Sequence, residues 1–396
     1  MVSARPRIVC GPAALFSFGF RPFFFGGALW AAIAMPLWIA LLTGRVAFAT
    51  QYGAVAWHAH EFLFGYGAAI VVGFLLTAIP NRTGGLPVRG RALLILFTLW
   101  ASGRLALLLG DVIGLVAAAA IDSLFLLSFT AIVWREVIAG RDWRNLKIAL
   151  VLLFFPGANI SFHGEIFFSG YPFYSIRATV SVLIVLIMLM GGRIIPSFTR
   201  NWLVKQKSRY LPTPFNSFDR WALGGAIFAL ALWTILPNKQ VTGFALLLAG
   251  LLLAIRLPRW AGWRCAAEPL VLILHVGYAF VPLGFFLVGG SVFWPQTIPP
   301  AVALHAWTAG AVGVMTLAVM TRAIRRQAGQ SATAPPTTQT IYLFAILAAL
   351  IRLATIIVPG MTLTLLVLAS IAWTAAFAGF ALCYGPMLFQ AHSKSR

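Results

Sequence analysis

The sequence predicts an all-α, polytopic integral membrane protein, about twelve transmembrane helices in one bundle, with residues 1–396 forming a single domain. Three observations predict it. The chain is 61% hydrophobic and only 9% charged, where a soluble domain carries about 25% charged residues. Its apolar runs recur at about 17–25 residues, the length that crosses a bilayer as a helix, and lack the short alternating pattern of an outer-membrane barrel. Its basic residues gather in the short stretches between those runs. A net charge of +21 would suggest a nucleic-acid partner in a soluble protein. Here the bilayer is the expected partner, and positive loops set topology.

Apolar runs and Gly/Pro breakers divide the chain into spans at 22–43, 55–79, 92–110, 112–134, 146–168, 176–199, 219–236, 241–257, 267–289, 300–321, 340–358 and 362–385. The third and fourth are separated only by Gly110-Asp111. With twelve spans, 24 of the 29 Lys and Arg residues fall on the side that holds both termini. The other five are Arg45, Arg104, Arg177, Lys239 and Arg352. That bias makes a bacterial inner membrane with cytoplasmic termini the expected location. No cleavable leader is expected, since Arg5, Pro6 and Arg7 precede no clean apolar core. The linkers Asn201–Phe218 and Arg322–Gln339 are the longest on that side. The second, rich in Ser, Thr, Ala and Pro, reads as a flexible tether. Gly26-Gly27, Gly191-Gly192 and Gly224-Gly225 fit close helix packing. Trp30, Trp38, Trp57, Trp294 and Trp307 fit the interfacial belt by position.

Chemistry concentrates in Trp57-His58-Ala59-His60-Glu61, followed by an uncharged run from Phe62 through Ile79. Ionisable groups at a membrane span mark function by default. His58, His60, His163 and His305 all fall near the outer ends of their spans and can share one layer. His275 lies about 12 Å into the ninth span from the opposite side. Cys10, Cys265 and Cys383 form no CxxC or CxxCH motif, so neither a thiolate site nor covalent haem is implied. Clustered imidazoles suit copper and iron. On a regular helix His58 and His60 point about 200° apart, so they would serve different metals, or one a metal and the other a hydrogen-bond partner. Glu61 shares a face with His58 and reads as its orienting carboxylate or as a proton relay. Simpler readings stand beside these: a polar cap on the span for the His58 cluster, packed histidines at 163 and 305, and a His275–Tyr278 hydrogen bond. Arg104 and Arg352 would meet haem propionates or Asp111 and Asp122, or snorkel, the last being favoured. Glu268-Pro269 reads as a helix start. Ala56-Trp57-His58-Ala59 is echoed by Ala303-Leu304-His305-Ala306 at the head of another span.

With these stretches in view, the chain resembles the NnrS family. The matching segments are residues 16–24, Trp57-His-Ala-His-Glu61 through Gly65, residues 73–84, Gly191-Gly-Arg-Ile-Ile-Pro-Ser-Phe-Thr-Arg-Asn201, Leu304-His305-Ala306 and Met320-Thr-Arg-Ala323. The resemblance implies twelve spans, non-covalent haem b, copper, and a role in nitric oxide stress or denitrification. It carries family positions onto His58, His60 and Glu61, and onto Gly192, Arg193, Pro196 and Asn201. After the tenth span, Gln327 and Gln330 stand where the family pattern has histidine and arginine, which puts any role of that loop in doubt.

The functional expectation is a haem–copper site near the periplasmic side that binds or metabolises nitric oxide, with an electron donor that the sequence does not identify. His58 or His60 with His163 or His305 would ligate haem iron. The remaining histidines, His275 among them, would hold copper, and Arg193 would assist cofactor binding. If nitric oxide is reduced, Glu61 would carry the protons. The alternative is a proton-coupled or metal/haem transporter using the same His and Glu residues.

Overall fold

The computed structural model describes residues 7–78, 87–139, 146–331 and 333–393; the side chains of residues 7–10, 139, 146–152 and 391–393 lie outside the description. Among the described residues, eleven helices are long and apolar enough to cross a membrane. The expected fifth span is the 24-residue helix Leu146–Ser169, whose first turns belong to the undescribed side chains. The all-α membrane architecture is therefore the one observed. The only sheet among the described residues is a ribbon joining Arg7–Cys10 to Gln390–Ser393, antiparallel, with Ile8 opposite His392.

The chain forms two compact units. The first contains residues 1–179 and 377–396, and the second contains residues 180–376. In the first, the spans Phe20–Leu42, Gly53–Ala78, Arg91–Leu108 and Leu115–Ile138 alternate in direction with Leu146–Ser169. Gly110-Asp111 does break the chain, as a separate short turn, Gly110–Ile113, whose Asp111 carboxylate accepts from the Thr50 backbone N–H at 2.9 Å and its hydroxyl at 2.7 Å. Residues 79–84 of the matching segment 73–84 lie outside the described residues.

In the second unit, the ninth span starts where Glu268-Pro269 places it. Glu268 caps the helix by accepting from the Leu270 N–H at 3.1 Å, with proline in the first turn. Two linker expectations are corrected. The sixth helix runs on to Lys205 and the seventh begins at Ser217, which shortens the linker. The Ser/Thr/Pro tract is not a free tether. Arg325 donates to the Ser331 carbonyl at 3.1 Å, Gln339 to the Ala334 carbonyl at 3.0 Å, and Pro336 opens the eleventh helix. Its prolines act as helix-start residues.

The belt reading of the tryptophans is corrected for four of the five. Trp57 and Trp307 are fully buried, Trp38 is buried, and Trp30 donates to Glu61; Trp294 is exposed. Trp307 donates to the Val281 carbonyl at 3.0 Å and occupies room left by Gly284, where a Cβ would come within 2.2 Å of its ring. The paired-glycine reading holds at Gly26 and Gly191 but not at Gly224, which has open space around it.

The second and tenth spans depart from α geometry at the same place. Immediately after His60 the helix widens to a π-helix over Glu61–Gly67. Immediately after His305 it does so over Ala306–Val314. The sequence echo therefore extends to backbone form, and π segments concentrate at functional sites.

The seventh helix is opened by a reciprocal cap. Asn216 accepts from the Phe218 N–H at 3.0 Å, and Asp219 accepts from the Asn216 N–H at 3.0 Å. Asn216→Ala is expected to cost about 1 kcal/mol and Asn216→Gly only a few tenths, a ranking measurable by thermal unfolding in detergent.

Candidate functional site

The first unit buries a polar cluster at one end of its spans. His60 lies seven residues into the second helix and Asp122 seven into the fourth, each about 10 Å along the axis; His163 lies six residues, about 9 Å, before the end of the fifth. Because neighbouring spans alternate in direction, these positions come together. His60 and Glu61 are 0% exposed, Asp122 and Arg104 3%, and His163 5%.

Asp122 is the point of convergence. Its Oδ2 lies 3.1 Å from His60 Nε2 and 3.0 Å from His163 Nε2, and accepts from Asn159 Nδ2 at 2.8 Å. Asn159 is itself held by Ser123, whose hydroxyl donates to its Oδ1 at 2.9 Å. The other Asp122 oxygen pairs with Arg104. The guanidinium also donates to Glu61 Oε2 at 2.8 Å, and Trp30 Nε1 donates to that same oxygen at 2.6 Å. The remaining Glu61 oxygen is 3.2 Å from His60 Nδ1. On the far side, Tyr52 hydroxyl meets His163 Nδ1 at 2.8 Å. The chain Tyr52–His163–Asp122–His60–Glu61–Arg104 is thus continuous.

Several expectations change on this geometry. Arg104 does not snorkel; it bridges Glu61 and Asp122, because two buried carboxylates without a cation between them would be far costlier than the stretched stem. Glu61 engages His60 rather than His58. The His58 ring instead stacks on Trp38 with centroids 4.1 Å apart and lies 4.7 Å from Phe62. The two-residue spacing does turn His58 and His60 to different neighbours. The sequence marks Asp122 only as an optional partner of Arg104 and does not single out Tyr52 or Asn159. The available signal was an aspartate within an otherwise apolar span.

His275 and His305 belong to the second unit, each with its own contacts. His275 Nε2 meets the Thr199 hydroxyl at 2.8 Å, and His305 Nδ1 lies 2.7 Å from the Ala301 carbonyl. Tyr278 accepts from Arg256 at 2.8 Å, so the suggested His275–Tyr278 pair is replaced by these two contacts. Arg256 is buried and also donates to Asp219 at 2.8 Å. Arg193 is exposed on the sixth helix.

Comparison with known families matches residues 14–392 to the model described as NnrS protein. The chain belongs to the NnrS family. No curated protein matches it. The match covers nearly the entire chain, including every residue of the polar cluster, and this NnrS member is a multi-pass membrane protein by its spans.

Chemically, the cluster offers two imidazoles and a carboxylate whose ligand atoms all lie within 4.8 Å of one another. That arrangement suits a bare metal ion. It does not suit a haem with His60 and His163 as axial ligands, because the Asp122 carboxylate stands between the two imidazoles where the porphyrin plane would pass.

Two glycines clear the space for the ion pairs. A Cβ at Gly65 would lie 2.6 Å from Arg104 Nη1 and 2.9 Å from Glu61 Oε2; one at Gly103 would lie 2.7 Å from Asp122 Oδ1 and 3.1 Å from its Cα. Gly103→Ala therefore forces the fourth helix away and is expected to lower the melting temperature more than Gly224→Ala, which meets nothing. Arg104→Leu leaves two buried carboxylates without their shared cation and should cost about 3–5 kcal/mol. Arg104→Lys should recover little of that loss, since one ammonium cannot reproduce the planar double contact. Unfolding in detergent compares both variants with wild type.

Proposed function

We propose that this protein binds nitric oxide at a metal centre within the bilayer, in a bacterial inner membrane with both termini in the cytoplasm. The observation that carries the reading is the buried His60–Asp122–His163 convergence, for which a purely structural role offers little return. Three polar side chains at membrane depth are expensive, and here they meet at one oxygen. Membership of the NnrS family and the outward thinning of Lys and Arg support the ligand and the orientation.

Haem b and copper are the cofactors the family likeness implies. His60 and His163 are the imidazoles that would hold copper, which takes imidazole nitrogen readily; bound there, it would supply an acceptor site for a small neutral gas. No step is assigned to haem at these residues, since the axial pairing does not fit. The chain's own residues orient and insulate. Glu61 fixes the His60 ring, Tyr52 fixes the His163 ring, and Arg104 holds both carboxylates in place. Trp30 closes the Glu61 side. Three-way anchoring of Glu61 supports a positioning role over a mobile proton carrier. An apolar surround suits nitric oxide, which enters through lipid.

The test is optical and electron paramagnetic resonance spectroscopy of the purified, metal-loaded protein with and without nitric oxide under anaerobic conditions. A nitric oxide-dependent signal that scales with bound metal and disappears in His60→Ala is expected. A metal-loaded protein with no response would overturn the reading and leave the proton-coupled carrier in front. A Soret band in the same sample, made with haem supplied, that persists in His60→Ala and His163→Ala would assign haem to residues outside that pair.

A further inference from the structure

We infer that His60 Nε2, His163 Nε2 and Asp122 Oδ2 form a mononuclear, haem-independent site for a divalent first-row transition-metal ion, with Glu61 and Tyr52 as the residues that position the two imidazoles. The inference deepens the proposed function by naming the donor set, and it stands or falls separately from nitric oxide.

The separations argue first. Metal bonds to imidazole nitrogen and carboxylate oxygen of about 2.0–2.2 Å put neighbouring ligand atoms about 3 Å apart in tetrahedral or octahedral shells. Asp122 Oδ2 lies at 3.1 and 3.0 Å from the two imidazole nitrogens. These side chains converge from three different spans, the second, fourth and fifth, so the spacing is a product of tertiary packing and not of local sequence.

The far nitrogens argue second. A ligating histidine almost always has its other ring nitrogen held by a carboxylate, carbonyl or similar group, which fixes ring orientation and tautomer. Both histidines meet that requirement, His60 Nδ1 through Glu61 at 3.2 Å and His163 Nδ1 through Tyr52 at 2.8 Å. Two independent imidazoles each carry this arrangement, and each presents Nε2 to the same carboxylate oxygen.

Charge argues third. Both ring nitrogens of His60 face carboxylate oxygens, and a neutral imidazole has one N–H. The nitrogen left over takes either a second proton or a metal ion between itself and Asp122. Across the cluster, Glu61 and Asp122 face one fixed cation, Arg104, so the second negative charge is balanced by a proton on His60 or by a bound metal ion in its place.

The donor set narrows the ion. Two imidazoles with one carboxylate and no thiolate lack the softness that selects copper(I), and they carry more nitrogen than magnesium or calcium takes. Iron(II) in two-histidine, one-carboxylate sites with open positions, copper(II) and zinc all match the donors, and of these iron and copper are the redox-active ions suited to a nitric oxide ligand. Three protein donors leave coordination positions free for a small ligand.

The experiment uses the full chain in detergent, stripped with chelator. It is then titrated anaerobically with iron(II) and, separately, with copper(II), and ions retained after desalting are counted. One ion per chain is expected. The copper(II) form should show electron paramagnetic resonance hyperfine structure from two nitrogens, a readout that needs no variant. Tyr52→Phe keeps the ring packing and should weaken binding about 10–100-fold, and His163→Gln should abolish stoichiometric retention. Asp122→Asn should do the same, and where it fails to fold the Tyr52 variant still decides. A wild-type chain that retains neither ion overturns the inference, as does binding that Tyr52→Phe and His163→Gln leave unchanged. A metal-dependent nitric oxide response that Tyr52→Phe and His163→Gln leave unchanged would sink this site and leave nitric oxide binding at a metal centre standing. A retained ion with no nitric oxide response would do the reverse.

Discussion

One guanidinium shared by two carboxylates holds the first unit's interior in order. Arg104 reaches from the third span to Glu61 on the second and Asp122 on the fourth. In a medium that cannot solvate charge, neither carboxylate is tolerable without it, and it is not tolerable without them. The pairing fixes the relative heights of three helices that lipid alone would allow to slide. With those heights fixed, His60 and His163 arrive at one oxygen, and Tyr52 and Asn159 have something to bind. Room for the pairing comes from the missing side chains of Gly65 and Gly103, so small residues and charged ones work together here.

The fold was legible because a membrane imposes a length and a composition on each span. Span boundaries agree within a few residues except where a helix continues past its apolar stretch, as at Asn201–Lys205, where Trp202 and Leu203 pack against Ala261, Cys265 and Val271. The second-span motif was equally legible, since two histidines and a glutamate stand out against uncharged neighbours. What the sequence concealed was partnership. His58 and Glu61 share a helical face on a wheel, yet Glu61 turns to His60 because Arg104 and Trp30 draw its carboxylate to another side. Asp122 looked like one optional counter-ion; its role as the meeting point depends on four helices at once. Buried tryptophans and belt tryptophans have the same sequence signature, and only packing separates Trp307 from Trp294.

The second unit makes a comparison within the molecule. Arg256, Asp219 and Tyr278 also form a buried charged group, held by hydrogen bonds at 2.8 Å. Its donors and acceptors are matched, with arginine satisfying the aspartate and the tyrosine, and no histidine faces that carboxylate among its described contacts. That cluster reads as a helix tie. The first unit's cluster differs because two imidazoles converge on its carboxylate, each bringing Nε2 to Asp122 Oδ2.

The widened helix after His60 has a consequence for how the chain tolerates changes in length. A π segment packs more residues into each turn than an α-helix, so the Glu61–Gly67 stretch holds its flanks at an angular offset that ordinary winding would not give. Dropping one residue inside it would let the stretch relax into α form and turn the flanks by only about 30°, because the wider turns already take up the extra residue. Dropping one from the regular turns of Ala68–Ala78 would instead rotate everything before it by about 100° and swing His60 off the Asp122 carboxylate, while the apolar run remained long enough to cross the bilayer. The widened stretches, Glu61–Gly67 and Ala306–Val314, are thus the places where these two helices can lose a residue and keep the aim of His60 and His305.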